Sequence, residues 1–203
     1  MSEEKVVVYS HKPGVGEAAF FLISGFLLSV PMTIFFESSA SSYLLSFLSL
    51  GLSRIVSAIL VAPFMEEFAK IFPMFYRHGE TGKSLVTLSF LMGLGFGISE
   101  FVAYVFIYGV PFYVRLPLIF FHASTTSIIA YGISSGQTVK YYILAVFLHF
   151  LLNAFAVVGT VAIFGYLAVL GVTYFLSHRL FLLSSERFVL QGIVITEKMS
   201  EAN

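Results

Sequence analysis

Charged residues at helical spacing inside an apolar stretch are the first sign of chemistry in this sequence. Glu66, Glu67 and Lys70 form an E-E-x-x-K pattern between Pro63 and Pro73, where we expect the helix to be kinked. Spacings of three and four residues put both carboxylates about one helical turn from the lysine amine. Because a charge within hydrocarbon costs about 3 kcal/mol, the pattern indicates either a functional group or a buried ion pair.

Three later segments also carry polar side chains into apolar surroundings. Glu100 follows the close-packing pattern Gly93-x-x-x-Gly97, His122 stands alone, and His149 and Asn153 are one helical turn apart. With Glu66, these groups lie roughly 14 to 25 Å from the predicted helix ends. The hydrocarbon core is about 30 Å thick. Four helices are therefore predicted to deliver polar groups to one buried layer.

Each group also has a structural interpretation on its own. Glu66 with Lys70 fits an ion pair, and Glu67 fits a pair with Arg54 or Lys70. His149 and Asn153 fit hydrogen bonds between helices. The convergence of these groups at one depth favours a single site over several independent structural roles.

The elements that must position this layer are membrane helices. The chain has 203 residues, of which 58% are hydrophobic and 11% charged, against roughly 45–50% and about 25% in soluble proteins. This composition argues against a soluble enzyme, a disordered chain and a nucleic-acid-binding protein. The absence of cysteine excludes disulfides, thiolate metal sites and a cysteine nucleophile.

Apolar blocks of the length of a membrane span predict an all-α, polytopic transmembrane bundle of about six helices. The predicted blocks are Ala18–Phe36, Leu52–Tyr76, Ser84–Tyr108, Pro111–Tyr131 and Tyr141–Leu176. The last block is counted as two short spans with a break near Gly159–Thr160. The serine-rich stretch Ser38–Leu50 fits a loop, a re-entrant turn or an early start of the second helix.

Basic residues near the helix ends predict the orientation. Eight of them fall on one side if both termini are cytoplasmic: Lys5, Lys12, Arg77, Lys83, Lys140, Arg179, Arg187 and Lys198. The other side holds only Arg54 and Arg115. We therefore expect a single integral membrane domain over 1–203, with the polar layer within 52–158 and short cytoplasmic termini at 1–16 and 178–203.

The two ends of the chain are rich in β-branched residues. Lys5–Tyr9 and Arg187–Thr196 both lie on the predicted cytoplasmic side. A small sheet that joins the termini is one hypothesis, and frayed tails are the other.

The four polar motifs together resemble the PrsW family of membrane proteases. The matching stretches are A-P-F-M-E-E-F-A-K (Ala62–Lys70), G-F-G-I-S-E (Gly95–Glu100), His122 and H-F-L-L-N (His149–Asn153). That family is similar to the wider group of CAAX prenyl endopeptidases and bacteriocin-processing enzymes. The resemblance implies a membrane-embedded endopeptidase in a prokaryotic cell membrane. It also implies a site built from Glu66, Glu67, Glu100, His122, His149 and Asn153. One departure is Phe101, where the family usually has Asn.

Two routes to peptide hydrolysis fit these residues. In the first and favoured route no metal takes part, and Glu66 is the general base for a water molecule. Glu67 shares its proton or orients the water, His122 passes a proton to the leaving amine, and Lys70 holds the carboxylate pair. His149 and Asn153 donate to the developing oxyanion. The second route is zinc-dependent, with His122, His149 and Glu66 as ligands.

Two other classes of function also fit buried charges in a membrane. A proton-coupled transporter uses the same residue types, although the sequence has no internal repeat. A non-catalytic scaffold would bind partner helices through the Gly93-x-x-x-Gly97 face. For the protease, we expect a membrane protein or membrane-associated peptide as substrate, contact with the lipid bilayer and no nucleic-acid partner.

Overall fold

The structure is a computed structural model that describes residues 12–76 and 81–186. Within these residues the fold is all-α, with no strand. The helices are α1 (Val15–Ser24), α2 (Val30–Leu44), α3 (Leu50–Val56), α4 (Ala62–Ile71), α5 (Gly82–Val102), α6 (Phe112–Ser134), α7 (Thr138–Val158) and α8 (Ile163–Leu183). The predicted pairing of the terminal segments 5–9 and 187–196 lies outside the described residues.

Four helical segments of the described chain are long and apolar enough to cross a membrane. They are Val15–Leu44, Gly82–Ile107, Phe112–Ser134 and Thr138–Leu183. The helical stretch from α3 to the end of α4 is not among them, because it carries four charged side chains. The count obtained from length and composition is therefore four, and it does not support the predicted six.

The long segment Thr138–Leu183 is interrupted within the predicted break. Gly159 has φ +82°, a conformation that an L side chain rarely adopts, and a short 3-10 turn, Gly159–Ala162, separates α7 from α8. Each of these two helices has 21 residues, which is the length of one membrane span.

The first helical segment is longer than predicted. It continues past Phe36 to Leu44, and its serine hydroxyls donate to carbonyls of the preceding turn, as Ser39 does to Phe35 and Ser42 to Ser38, which gives them partners inside the helix. None of the three interpretations of the serine-rich stretch describes this arrangement. Glu37, one residue beyond the predicted block Ala18–Phe36, therefore lies inside the first helical segment.

Three π-helical turns interrupt the helices: Gly25–Ser29, Ser57–Val61 and Ala103–Ile107. The second turn leads into Pro63 of α4, and Pro73 lies in the 3-10 turn Phe72–Tyr76 that follows α4. The helical hydrogen bonding thus changes at both prolines where the sequence predicts kinks. Turns of this kind leave backbone carbonyls without a helical donor.

Glycines of α5 bring the central helices into close contact. A Cβ atom at Gly93 would overlap the backbone of His122, and one at Gly97 would overlap the backbone of Ile119, both on α6. The partner of the Gly93-x-x-x-Gly97 face is therefore another helix of the same chain. Gly95 packs in the same way against Leu22 of α1.

Candidate active site

A cavity of about 440 Å³ opens between α2, α3 and the helices that carry the predicted polar layer. Five of the six predicted site residues line it: Glu66, Glu100, His122, His149 and Asn153. The sixth, Glu67, lies behind them and is fully buried. The structure thus brings the residues of the four motifs together, as the depth estimate predicts.

Glu67 is the centre of a buried hydrogen-bond network. Its Oε1 atom lies 2.6 Å from Lys70 Nζ and 2.8 Å from His149 Nδ1, and it accepts a hydrogen bond of 3.1 Å from Thr125 Oγ1. Three donors on one oxygen stabilise the ionised carboxylate. The Lys70 ion pair is therefore made with Glu67, whereas the sequence also allowed a pair with Glu66.

This network fixes the orientation of both histidines. His149 Nδ1–H donates to Glu67, which leaves its Nε2 lone pair directed at Glu66. The ammonium of Lys70 donates to His122 Nδ1 at 3.0 Å. His122 Nε2–H then donates to Glu100 Oε2 at 2.7 Å. Each imidazole is thus held by a carboxylate on a different helix.

Three carboxylates in this region, Glu37, Glu66 and Glu67, each have one buried oxygen without a partner in the described residues, and that of Glu66 faces both imidazoles. The Oε2 atom of Glu66 is buried and has no hydrogen-bond partner within the described part of the chain. It lies 3.7 Å from His149 Nε2 and 4.0 Å from His122 Nδ1. A buried carboxylate oxygen without a partner is costly, so the arrangement indicates a missing positive ligand or proton.

Asn153 is held by the π-helical turn before α4. Its Nδ2 donates to the carbonyl of Ala58 at 2.8 Å. Ala62 N–H bonds to Ser57 O instead of Ala58 O, and Pro63 has no N–H to offer. The Ala58 carbonyl therefore has no helical donor, and the side chain of Asn153 supplies one.

Several polar residues of the site escaped the sequence analysis. Glu37 lines the cavity and has a buried oxygen without a partner in the described residues. Thr125 bonds to Glu67, and its position three residues after His122 could have revealed it. The guanidinium of Arg115 lies 3.3 Å from the ring centroid of Tyr104 at the cavity wall. Glu37 has no comparable signal, because it stands beside a serine-rich stretch.

Two imidazoles and several carboxylates around a cavity, carried by apolar helices, form a candidate hydrolytic site. The family model of the PrsW family of intramembrane metalloproteases matches residues 15–178. The chain therefore belongs to this family, which makes it a membrane-embedded protease with a peptide substrate. No curated protein and no solved structure matches the chain.

The sequence analysis favours a route without a metal, and the findings do not support that preference. One atom each from Glu66, His122 and His149 lies within 4.8 Å of the others, a grouping that can hold a metal ion. Ligands 2.0–2.1 Å from a tetrahedral zinc ion lie about 3.4 Å from one another. Two of the observed separations, 3.7 and 4.0 Å, are only slightly wider. The orphaned Glu66 oxygen and the free His149 Nε2 therefore fit a cation.

Proposed function

We propose that the protein is a zinc-dependent endopeptidase that cuts membrane proteins or membrane-associated peptides within the bilayer. Glu66, His149 and His122 would hold the cation, with His122 binding through Nδ1 in place of its hydrogen bond from Lys70, which keeps its ion pair with Glu67. The observation that carries the proposal is the buried Oε2 atom of Glu66, which has no hydrogen-bond partner and faces a ring nitrogen of each histidine. The donor set of two imidazoles and one carboxylate is typical of catalytic zinc sites.

A zinc ion bound by these residues supplies Lewis-acid polarisation of the scissile carbonyl and makes water a better nucleophile at neutral pH. Glu67 holds His149 in the tautomer that leaves Nε2 free, and Glu100 holds His122 from the other side. Lys70 and Thr125 keep Glu67 ionised and fixed in place.

Glu100 is our candidate for the proton acceptor. It bonds to His122 through Oε2 and also lines the cavity, where substrate and water must enter. A carboxylate within reach of the reacting water is the usual general base in this chemistry. Arg115, on the same cavity wall, supplies a positive charge that orients the substrate backbone or stabilises a developing negative charge.

The architecture that we propose retains six spans. The segment of 46 residues divides at Gly159 into two helices of span length. The stretch from Leu50 to Tyr76 supplies one more, with Arg54 and Glu66 lining the cavity and Glu67 and Lys70 fully buried. Both termini are then cytoplasmic, in agreement with the basic-residue count. We also retain the prokaryotic cell membrane and the likeness to the CAAX endopeptidases as proposals.

Cleavage of a co-expressed single-span reporter protein tests the activity. The parent chain should cut the reporter, and Glu66→Gln should not. The same change in Glu186, which is exposed and remote from the cavity, is the matched control and should leave cleavage intact. A chain that cuts no reporter but carries a pH-dependent flux in liposomes would instead be a transporter.

Metal removal separates the two hydrolytic routes. Purified protein treated with a chelator should lose activity and regain it when Zn²⁺ is added. Full activity after elemental analysis has shown that the protein is metal-free would contradict the zinc proposal. That result would return Glu66 to the role of general base.

A further inference from the structure

A second cavity lies on the opposite side of α6 from the active site. It is a groove of about 500 Å³ between α5, α6 and α8, with walls that include Phe90, Leu91, Phe120 and Phe181. This volume falls in the range of small-molecule sites. None of the polar residues of the active site lines it, so the groove is separate from the chemistry described above.

The groove wall is mostly apolar, and four of its five hydroxyl side chains have protein partners; Ser124 and the imidazole of His178 also line it. Ser127 Oγ and Ser177 Oγ bond to each other at 2.7 Å. Thr87 donates to the carbonyl of Lys83, and Tyr174 donates to the carbonyl of Pro117. A ligand in this groove therefore needs an apolar surface and few hydrogen-bonding groups.

One end of the groove is positively charged. A smaller cavity of about 210 Å³ shares Thr87 and Phe181 with the groove, and its charged lining is Lys12, Lys83 and Glu186, two positive charges against one negative. Lys83 forms an ion pair of 3.5 Å with the exposed Glu186. Because such a surface pair contributes little, an anionic ligand can compete for the lysine.

The position of this charged end fits the edge of a membrane. Lys83 is the second residue of α5, which begins a segment able to span the bilayer. The groove follows α5 from Val86 to Leu91, roughly 4 to 12 Å further along the helix axis than Lys83. The lysine therefore lies at the depth of lipid head groups, and the apolar wall lies at the depth of acyl chains.

We propose that the groove and its lysine end form a binding site for one anionic glycerophospholipid. An acyl chain lies along the apolar wall between α5, α6 and α8, and the phosphate lies between Lys12 and Lys83. A bilayer lipid is the favoured occupant because the apolar length, the charge and their order along the membrane normal match a single amphiphile. A zwitterionic lipid lacks the net negative charge that the two lysines favour.

The test measures lipid retained by the full-length purified chain. The protein is placed in nanodiscs with equal amounts of dioleoylphosphatidylglycerol and dioleoylphosphatidylcholine, then extracted and examined by native mass spectrometry. We expect phosphatidylglycerol to be retained in excess. Lys83→Gln should lower that excess about fivefold, which corresponds to about 1 kcal/mol per basic residue near the membrane surface.

Matched variants separate the head-group contact from the groove. Lys83→Arg, which keeps the charge, should retain the preference. Lys140→Gln removes a charge from another exposed helix end that lines neither cavity and should also retain it. Thr87→Trp fills the junction of the two cavities and should reduce retention of both lipids.

Three outcomes would overturn the proposal. An unchanged lipid ratio in Lys83→Gln would show that Lys83 does not bind the lipid head group. Displacement of the lipid by glycerol phosphate alone would show an anion site without an acyl-chain site. Loss of reporter cleavage in Thr87→Trp, with normal lipid retention, would assign the groove to the substrate helix. The lipid measurement does not depend on proteolysis, so its failure is distinct from failure of the proposed function.

Discussion

The two faces of α6 both carry polar side chains but use them differently. On one face, His122 and Thr125 bond to charged groups on α4 and α5. On the other face, Ser127 bonds within its own turn and to the uncharged Ser177. A polar residue in a membrane helix therefore indicates chemistry when its partner is charged and distant in sequence. Hydroxyl groups that bond to each other or to a carbonyl of their own turn have no free hydrogen-bond donor to offer a ligand, and they leave an apolar surface.

The largest expected difference between the two faces is in catalysis. His149→Gln removes the free Nε2 atom opposite Glu66, so we expect loss of both reporter cleavage and bound zinc. Ser177→Ala, on the other face, should keep both and lower the free energy of unfolding by about 0.6 kcal/mol, as is usual for a hydrogen bond between membrane helices. Equal activities of the two variants would contradict the assignment of the site.

The buried ion pair of the active-site face should dominate stability. Lys70→Met leaves Glu67 ionised and fully buried without its counter-charge, and breaking such a pair costs about 3–5 kcal/mol. The double variant Lys70→Met, Glu67→Gln removes both charges and should recover much of this loss. Unfolding by denaturant in detergent micelles measures both effects. A double variant as unstable as Lys70→Met would mean that Lys70 stabilises the fold through other contacts.

Close approach of α5 and α6 positions His122, so a small side chain at Gly93 should affect both stability and activity. The added methyl group of Gly93→Ala overlaps the backbone of α6, and overpacking of this kind costs about 1–3 kcal/mol. Gly171→Ala is the matched control, because an added Cβ meets nothing within 4 Å there. The control should be neutral or stabilising by up to about 1 kcal/mol.

The sequence predicted the convergence of the site because buried charge is costly and helix rise is regular. Glu66, Glu100, His122 and His149 could be placed at one depth by counting residues alone. The choice of Glu67 as the partner of Lys70 could not be predicted, because spacings of three and four residues are both compatible with a pair. Glu37 was missed because serine-rich segments are typical of loops, whereas here the helix runs through the serines to Leu44 and their hydroxyls bond to its own carbonyls. The number of spans differs between sequence and structure for another reason, since the stretch from α3 to α4 carries four charged side chains and is not counted as apolar.

The smallest expected effect concerns Asn153, whose role the sequence and the structure describe differently. The sequence predicts an oxyanion donor, whereas the structure shows its amide nitrogen bonded to the Ala58 carbonyl at the π-helical turn. If that bond is its main role, Asn153→Ala should cost about 0.6–1.7 kcal/mol of stability, the range for polar contacts between membrane helices. Reporter cleavage should then fall only as far as the folded fraction falls.

A different result is expected if Asn153 donates to the reacting oxygen. Loss of an oxyanion donor lowers the catalytic rate by about 10²–10³, with zinc content and unfolding unchanged. Asn153→Asp sharpens the distinction, because it removes the Nδ2 donor and places a carboxylate oxygen against the Ala58 carbonyl, so the π-helical turn should be destabilised more than by alanine. Rates measured on the folded, zinc-loaded fraction of both variants separate the two roles. An unchanged rate in the folded fraction of both variants assigns Asn153 to the backbone, and a rate that falls by the same large factor in both assigns it to the reaction.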